Sequence, residues 1–168
     1  HERLEISRLG FGGDGADGRV VITFNSAFTN YCQSIPLNQA LNDGISRVIF
    51  NTTDNSTTTN AGTEYTDFGC TLNTNVERGL SYLLSVYVNT GGNNTRTQRA
   101  WIDWNQDGDF ADAGETFNLA SLTNIVNGLN TVNITIPLTA ALGPTKMRIT
   151  SSSSANPNSC DNQNFSGQ

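Results

Sequence analysis

The sequence predicts an all-β fold, an antiparallel β-sandwich with a jelly-roll or immunoglobulin-like arrangement of two sheets. Short segments alternate apolar and polar residues, which is the period of a strand with one buried face. Turn-forming residues separate these segments, among them 16 Gly and four Pro in 168 residues. Helical patterns are brief and occur near residues 36–42 and 138–142. Many short strands divided by turns are typical of a sandwich.

Six segments show the alternation, and each predicts a strand. The clearest is the apolar stripe from Tyr82 to Val88, with Ser85 on the opposite face. Turn signals follow it at residues 91–94 and recur at 143–144. In chain order, the residues expected to face the core are Val20, Ile22 and Phe24; Val48 and Phe50; Tyr82, Leu84, Val86 and Val88; Ala100, Ile102 and Trp104; Val132, Ile134, Ile136 and Leu138; Met147 and Ile149.

The length of the chain fits one domain with a short extension. We expect residues 31–168 to form the sandwich and residues 1–30 to form an N-terminal extension with one strand at 19–25. The first 18 residues mix opposite charges and then become rich in glycine. A linker, the tail of a preceding domain and a docking arm all fit this composition.

Charge and hydropathy exclude two classes of partner. The net charge of −6 argues against nucleic acid, which requires clustered Lys and Arg. No apolar run approaches the roughly 20 residues of a membrane-spanning helix, so we expect no membrane insertion. No signal peptide is visible, so we expect the sequence to be a mature form or a fragment.

The chain has three cysteines, Cys32, Cys70 and Cys160. One disulfide and one remaining thiol is the simplest arrangement, and three single pairings are possible. A bridge between Cys32 and Cys160 would close a loop of well over 100 residues, worth on the order of 4–5 kcal/mol in the chain-entropy model. Three free thiols are the less favoured alternative, which the sequence alone leaves open.

The acidic segment 103–115 predicts a calcium site. Calcium prefers six to eight hard oxygen ligands, and alternating carboxylates around a glycine supply them in a tight loop. Gly108 permits the sharp turn, and magnesium fits less well because it requires stricter octahedral geometry. The alternative is a solvated acidic turn without a metal. The predicted ligands are Asp103, Asn105, Asp107, Asp109, Asp112 and Glu115.

The spacing of this loop departs from that of the EF-hand. A bidentate Glu occupies position 12 of an EF-hand loop, whereas Glu115 is the thirteenth residue counted from Asp103. A predicted strand, not a helix, leads into the loop. We therefore expect an EF-hand-like loop in a β context.

Two tryptophans flank the first predicted ligand. Trp101 and Trp104 pack the core in one interpretation and stack on sugar rings in the other, for which Trp101 is the better candidate. A catalytic role has little support. The one histidine is His1, which disfavours Ser-His-Asp and Cys-His systems. No zinc-type Cys/His cluster or phosphate-binding loop is present. We expect a protein that is not an enzyme.

These residues resemble the GEVED domain, a β-sandwich module of secreted bacterial proteins, from Tyr31 to Gly167. The most specific stretch is Trp-Ile-Asp-Trp-Asn-Gln-Asp-Gly-Asp-Phe at 101–110. The resemblance implies a calcium site at the acidic positions and non-enzymatic work beside hydrolases, proteases or adhesins. It also favours a Cys32–Cys160 bridge. The supporting segments are 31–32, 45–51, 65–68, 79–82, Asp112, Gly114, Glu115, 143–149 and Cys160.

One departure from the family pattern motivates a hypothesis about assembly. The Gly-Glu-Val-Glu-Asp segment that opens the family's last strand is not found before Gln168. A sandwich that lacks a strand has an open edge, which favours pairing with another strand. We hypothesise that the N-terminal segment with Val20–Asn25 fills this gap, within the chain or in a neighbouring subunit. A domain clipped from a larger secreted protein is the alternative.

Two functions compete at this stage. The first is an extracellular or cell-surface structural or adhesive module, stabilised by Ca2+ and binding other copies of itself or other surface proteins. It includes assembly into an extracellular filament by strand complementation. The second is a carbohydrate-binding accessory module of a secreted hydrolase or protease, which would bind glycans through exposed rings.

Overall fold

The computed structural model contains eleven β-strands and no helix within the residues it describes. The strands are β1 (Arg19–Thr23), β2 (Asp43–Phe50), β3 (Thr53–Ser56), β4 (Asn73–Glu77), β5 (Ser81–Thr90), β6 (Thr95–Ile102), β7 (Thr116–Thr123), β8 (Gly128–Thr135), β9 (Gly143–Thr145), β10 (Met147–Ser152) and β11 (Phe165–Gly167). The structure describes residues 43–56, 68, 71–153 and 155–160 in full, and the backbone of 19–23 and 165–167.

Two four-stranded antiparallel sheets form the body of the fold. Sheet I has the order β3-β2-β5-β8, and sheet II has the order β11-β10-β6-β7. Alternate residues of both sheets meet in one apolar core. Core residues include Leu84 and Val86 from sheet I, and Ile102 and Ile149 from sheet II. The predicted all-β sandwich is therefore confirmed.

A smaller third sheet holds the N-terminal strand. Strand β1 lies between β4, its antiparallel neighbour, and β9, its parallel neighbour. Arg19 is opposite Glu77, and Val20 is opposite Gly143. The predicted strand at 19–25 is found at 19–23, and Phe24 lies outside the described residues. The proposed domain boundary at 30–31 also lies outside them and stays a prediction.

Most of the predicted core positions are buried, with one clear exception. Leu84, Val86 and Val88 are fully buried on the inner face of β5. The prediction for Leu138 was wrong, because this side chain is 75% exposed. Strand β8 ends at Thr135 and Pro137 follows shortly after it, so the alternation seen in the sequence does not continue as a strand.

Strand β10 is buried along its whole length, from Met147 to Ser152. One of its faces belongs to the core. The chain after β10 then turns back, with two backbone carbonyls accepting hydrogen bonds from sheet II: Pro157 from Arg99 (2.6 Å) and Ser159 from Arg148. The described part of the chain contains no helix with the length and apolarity that a membrane crossing requires.

Candidate metal site

The acidic loop connects two adjacent antiparallel strands of sheet II. It leaves β6 after Ile102 and enters β7 at Thr116. The Ile102 N–H donates a hydrogen bond to the Glu115 carbonyl over 3.0 Å, which closes the base of the loop. The strand ends therefore hold residues 103 and 115 close together, although twelve positions separate them in sequence.

Asp103 organises the first turn of the loop. Its side chain is fully buried and accepts hydrogen bonds from two backbone N–H groups, Gln106 at 2.6 Å and Gly108 at 3.0 Å. The φ angle is 63° at Gln106 and 97° at Gly108, so both residues adopt a left-handed backbone conformation that favours glycine. The Thr145 hydroxyl donates to the Asp103 carbonyl, which joins the loop to β9. Asp103 thus binds the backbone of its own loop with both carboxylate oxygens.

Glu115 lies buried at the other end of the loop, with 1% of its surface exposed. Its Oε1 accepts a hydrogen bond from the Trp104 N–H over 2.7 Å. Its Oε2 is buried and has no hydrogen-bond partner. Burial raises the pKa of Glu115, the hydrogen bond from Trp104 opposes this shift, and the nearby charge of Asp103 adds to it. An unpaired buried carboxylate oxygen is costly in the absence of a cation or donor.

Three exposed carboxylates converge at the tip of the loop. Oxygens of Asp107, Asp109 and Asp112 all lie within 4.8 Å of one another. The Asn105 amide donates hydrogen bonds to Asp107 over 2.8 Å and to Asp112 over 2.7 Å. Hydrogen bonds from the Asp109 backbone and from Asn105 lower the pKa of Asp107, so its carboxylate is held in the charged form.

The structure divides the six predicted ligands into two groups. Asp107, Asp109 and Asp112 come together as an exposed carboxylate cluster to which the Asn105 amide donates hydrogen bonds, whereas Asp103 and Glu115 are buried at the two ends of the loop. Every donor in the set is a hard oxygen, which suits Ca2+. Like charges this close repel without a cation. The donor chemistry and the unpaired Glu115 oxygen therefore suit a calcium ion.

Both tryptophans beside the loop are buried. Trp104 is 5% exposed, donates through Nε1 to the Gly114 carbonyl over 3.1 Å and packs edge-on against Phe117. Trp101 is 3% exposed and forms a small apolar cluster with Phe110. Neither ring presents a face to solvent. The sugar-stacking role considered for Trp101 therefore has no support in this arrangement.

The disulfide prediction stays untested. Cys160 is exposed in the turn that follows β10, and Cys32 and Cys70 lie outside the described residues. The Cys32–Cys160 pairing implied by the family resemblance is therefore still a prediction.

Sequence reasoning missed the contacts that position the loop from outside it. The Thr145 hydroxyl is one, and the Arg148 guanidinium, which lies over the Phe110 ring of the loop at 5.3 Å, is another. Glycine-like backbone at Gln106 was also missed, because Gln gives no signal for positive φ. A weak local signal exists only for Phe110, which with Trp104 is one of two large apolar residues in a loop rich in carboxylates.

Comparison with known proteins supports the family resemblance for the C-terminal part of the chain. Residues 97–168 match the model of the GEVED domain, a span that includes most of β6, the acidic loop and strands β7–β11. No curated protein and no solved structure gives a match. The segments before residue 97 that also resemble the family are not covered by this match. The resemblance of this chain to the GEVED domain family is therefore confirmed over residues 97–168.

Proposed function

We propose that this chain is a non-catalytic extracellular module, in which calcium bound at residues 103–115 stabilises a β-sandwich that serves a structural or adhesive role at the cell surface. The observation that carries the proposal is the convergence of the Asp107, Asp109 and Asp112 carboxylates within 4.8 Å. Without a cation, three carboxylates at this separation destabilise the loop through mutual repulsion.

The contacts of the loop explain how calcium would stabilise the whole sandwich. Glu115 accepts a hydrogen bond from the Trp104 N–H, and the Trp104 ring belongs to the core. Asp103 is joined to β9 through Thr145 and to Lys146 through its backbone N–H. An ion that fixes the loop therefore fixes the β6–β7 connection and its junction with β9. Binding to the folded state alone raises stability by mass action.

The absence of catalytic chemistry is part of the same proposal. The one histidine of the chain is His1, and among the described residues the carboxylates that come together belong to the loop. A carbohydrate-binding role would need exposed aromatic rings, and Trp101 and Trp104 are both buried. No observation on the described residues favours that second function.

Thermal unfolding in calcium, in magnesium and in EGTA tests the calcium role, with isothermal titration to measure binding. We expect calcium to raise the Tm by several degrees, since ligand at 100 times its Kd adds about 2.7 kcal/mol. Magnesium should have a smaller effect because of its stricter geometry. The control variant Glu77→Gln should keep the full calcium effect on Tm, because Glu77 is an exposed carboxylate on β4 outside the loop. Equal Tm values in calcium and EGTA would contradict the proposal.

The second and more specific part of the proposal is strand complementation between copies of the chain. It is supported by the position of β1, which has β4 on one side and β9 on the other. A chain that gave its β1 to a neighbour would leave this position open for the β1 of another copy, and such head-to-tail exchange builds filaments. Other copies of the chain are thus the proposed partner, with other surface proteins next.

Light scattering of the full chain and of a variant without residues 1–26 tests this part. We expect the full chain to form larger species, and the deletion variant to be monomeric and to bind a synthetic peptide covering residues 17–25. A multimer that persists after the deletion would argue against strand exchange and would leave the calcium role intact.

A further inference from the structure

The segment that follows β10 folds back over the outer face of sheet II. We call residues 155–160 the strap. Arg99 of β6 donates to the Pro157 carbonyl over 2.6 Å and to the Asn156 side chain over 3.4 Å. Arg148 of β10 donates to the Ser159 carbonyl. Two arginines from neighbouring strands therefore hold the strap by its backbone.

Strand β11 follows the strap in the sequence and forms the edge of sheet II. Strand β11 pairs antiparallel with β10, with Thr150 opposite Gly167 and Ser152 opposite Phe165. It is the edge of sheet II, so β10 has no other strand on this side within the described residues. The hydrogen bonds from Arg99 and Arg148 to the strap therefore help to keep β11 paired with β10.

The arginine that holds the strap is also in contact with the acidic loop. The Arg148 guanidinium lies over the Phe110 ring, 5.3 Å from its centroid, and is 5% exposed. Phe110 follows Asp109 immediately and precedes Asp112 by two residues. It is itself buried against Trp101. A continuous set of contacts therefore runs from the carboxylate cluster through Phe110 and Arg148 to Ser159.

We propose that occupancy of the acidic loop by calcium controls how firmly the strap and β11 are held on sheet II, with Phe110 and Arg148 as the connecting pair. This inference rests on the proposed calcium role of the loop. A cation that draws Asp109 and Asp112 together fixes the two residues between them, and the fixed Phe110 ring keeps the Arg148 guanidinium in position to donate to the strap. Mutual repulsion of the carboxylates in calcium-free protein loosens the same contacts.

Phe110 can connect the loop to Arg148 because its ring contacts the guanidinium and is buried against Trp101. A guanidinium over an aromatic face is attracted electrostatically by the ring, and more strongly when both groups are shielded from water. The same ring fills the space beside Trp101, so its displacement would leave both Arg148 and Trp101 without that neighbour. A local change in the loop is therefore transmitted to a segment that lies more than 40 residues later in the sequence.

Hydrogen exchange of the full chain in calcium and in EGTA, with calcium binding measured in parallel by titration calorimetry, tests the inference. We expect calcium to slow exchange of the amides in 155–160 and 165–167 about tenfold, since exchange reports the local opening equilibrium. The variant Arg148→Gln should bind calcium but lose this dependence in the strap. Arg47→Gln is the matched control, because Arg47 lies over the Tyr87 ring at 5.5 Å on the other sheet.

The outcomes separate the two proposals. Calcium binding without any change in exchange of the strap overturns the inference and leaves the proposed function standing. No calcium binding by the unmodified chain overturns both. If Arg148→Gln does not fold, Phe110→Leu removes the aromatic face while keeping an apolar side chain, and it should show the same loss. Full calcium dependence in either folded variant would exclude Phe110 and Arg148 as the connecting pair.

Discussion

Asn130 of β8 donates a hydrogen bond to the side-chain carbonyl of Gln98 in β6, over 2.6 Å across the interior of the sandwich. The same Asn130 amide donates to the Ala120 carbonyl and accepts from the Ala120 N–H, where the register between β6 and β7 shifts. Gln98 in turn donates to Ser151 of β10. One asparagine therefore satisfies backbone groups that the irregular strand leaves unpaired and links the two sheets.

Replacing Asn130 by Ala should lower the free energy of unfolding by about 1–3 kcal/mol, because buried polar groups of Gln98 and Ala120 lose their partner. Urea unfolding measures the change. Asn133→Ala is the control, since Asn133 is exposed on the same strand and should change stability by no more than about 0.5 kcal/mol. Equal losses in the two variants would mean that the buried network contributes nothing beyond the strand position.

Glu115 should give the calcium-free protein a distinctive pH dependence. Its ordinary pKa of 4.5 is raised in the folded state, chiefly by burial. The folded state therefore binds the proton more tightly than the unfolded state, and this stabilisation is fully present below pH 4.5 and is lost as pH rises through the folded-state pKa. We expect Tm in metal-free buffer to fall over that window.

The variant Glu115→Gln removes the titrating group and keeps an oxygen for the Trp104 N–H. Its Tm should therefore depend less on pH above 4.5 than that of the unmodified chain. The lowered pKa of Asp107 acts with the opposite sign, but only as pH falls below its ordinary value of 3.8, so the two effects occupy different windows. Identical pH profiles would contradict the assignment to Glu115.

Asp109→Asn should have opposite effects with and without calcium. In EGTA it should raise the Tm, because it removes one of three converging negative charges while its Oδ1 can still accept from the Ala111 N–H. In saturating calcium it should lower the Tm, since the number of charged ligands tunes calcium affinity and its loss should weaken binding by about tenfold or more. Differential scanning calorimetry in the two buffers measures both signs. A shift of the same sign in both would show that the charge acts on the fold and not through the metal.

Gly114→Ala should separate backbone strain from metal binding. Gly114 has φ of 91°, and a Cβ there would meet no atom within 4 Å, so the cost is the left-handed conformation alone, about 1–2 kcal/mol. Gly92, with φ of 89° and equally open space, provides the matched control in the β5–β6 turn. Both Ala variants should lose similar stability by urea unfolding, but only Gly114→Ala should also lose calcium affinity, because the backbone strain at residue 114 acts directly on the neighbouring Glu115. A loss of affinity in Gly92→Ala would refute this separation.

The strands that could be predicted are those with regular alternation and one buried face. Strand β5 is the clearest, and its inner residues Leu84, Val86 and Val88 are buried as expected. Strand β7 was not predicted, because the irregularity after Asn118 breaks the alternation between Leu119 and Leu122. A shift of register depends on a partner in another strand, which a local pattern does not contain.

At the acidic loop, too, the local sequence pattern does not contain the contacts made by other strands. Its spacing predicted which segment carries the oxygen donors. It did not distinguish buried from exposed residues among the six predicted ligands. The burial that separates Asp103 and Glu115 from Asp107, Asp109 and Asp112 comes from the meeting of β6 and β7 at the base. The contact between Phe110 and Arg148 joins a loop to a strand that lies far from it in the sequence, and no local pattern signals it.

Strand β1, held between an antiparallel and a parallel neighbour, has a consequence for how the module would behave under tension. A pull along this strand from its N-terminal side loads the hydrogen bonds to β4 and to β9 at the same time and in shear. An edge strand peeled from one end breaks its bonds one after another, whereas β1 slides free only when both ladders yield together. Resistance to force is governed by the rate of unfolding and not by equilibrium stability. We therefore expect this part of the fold to resist a pull from the N-terminal side of β1.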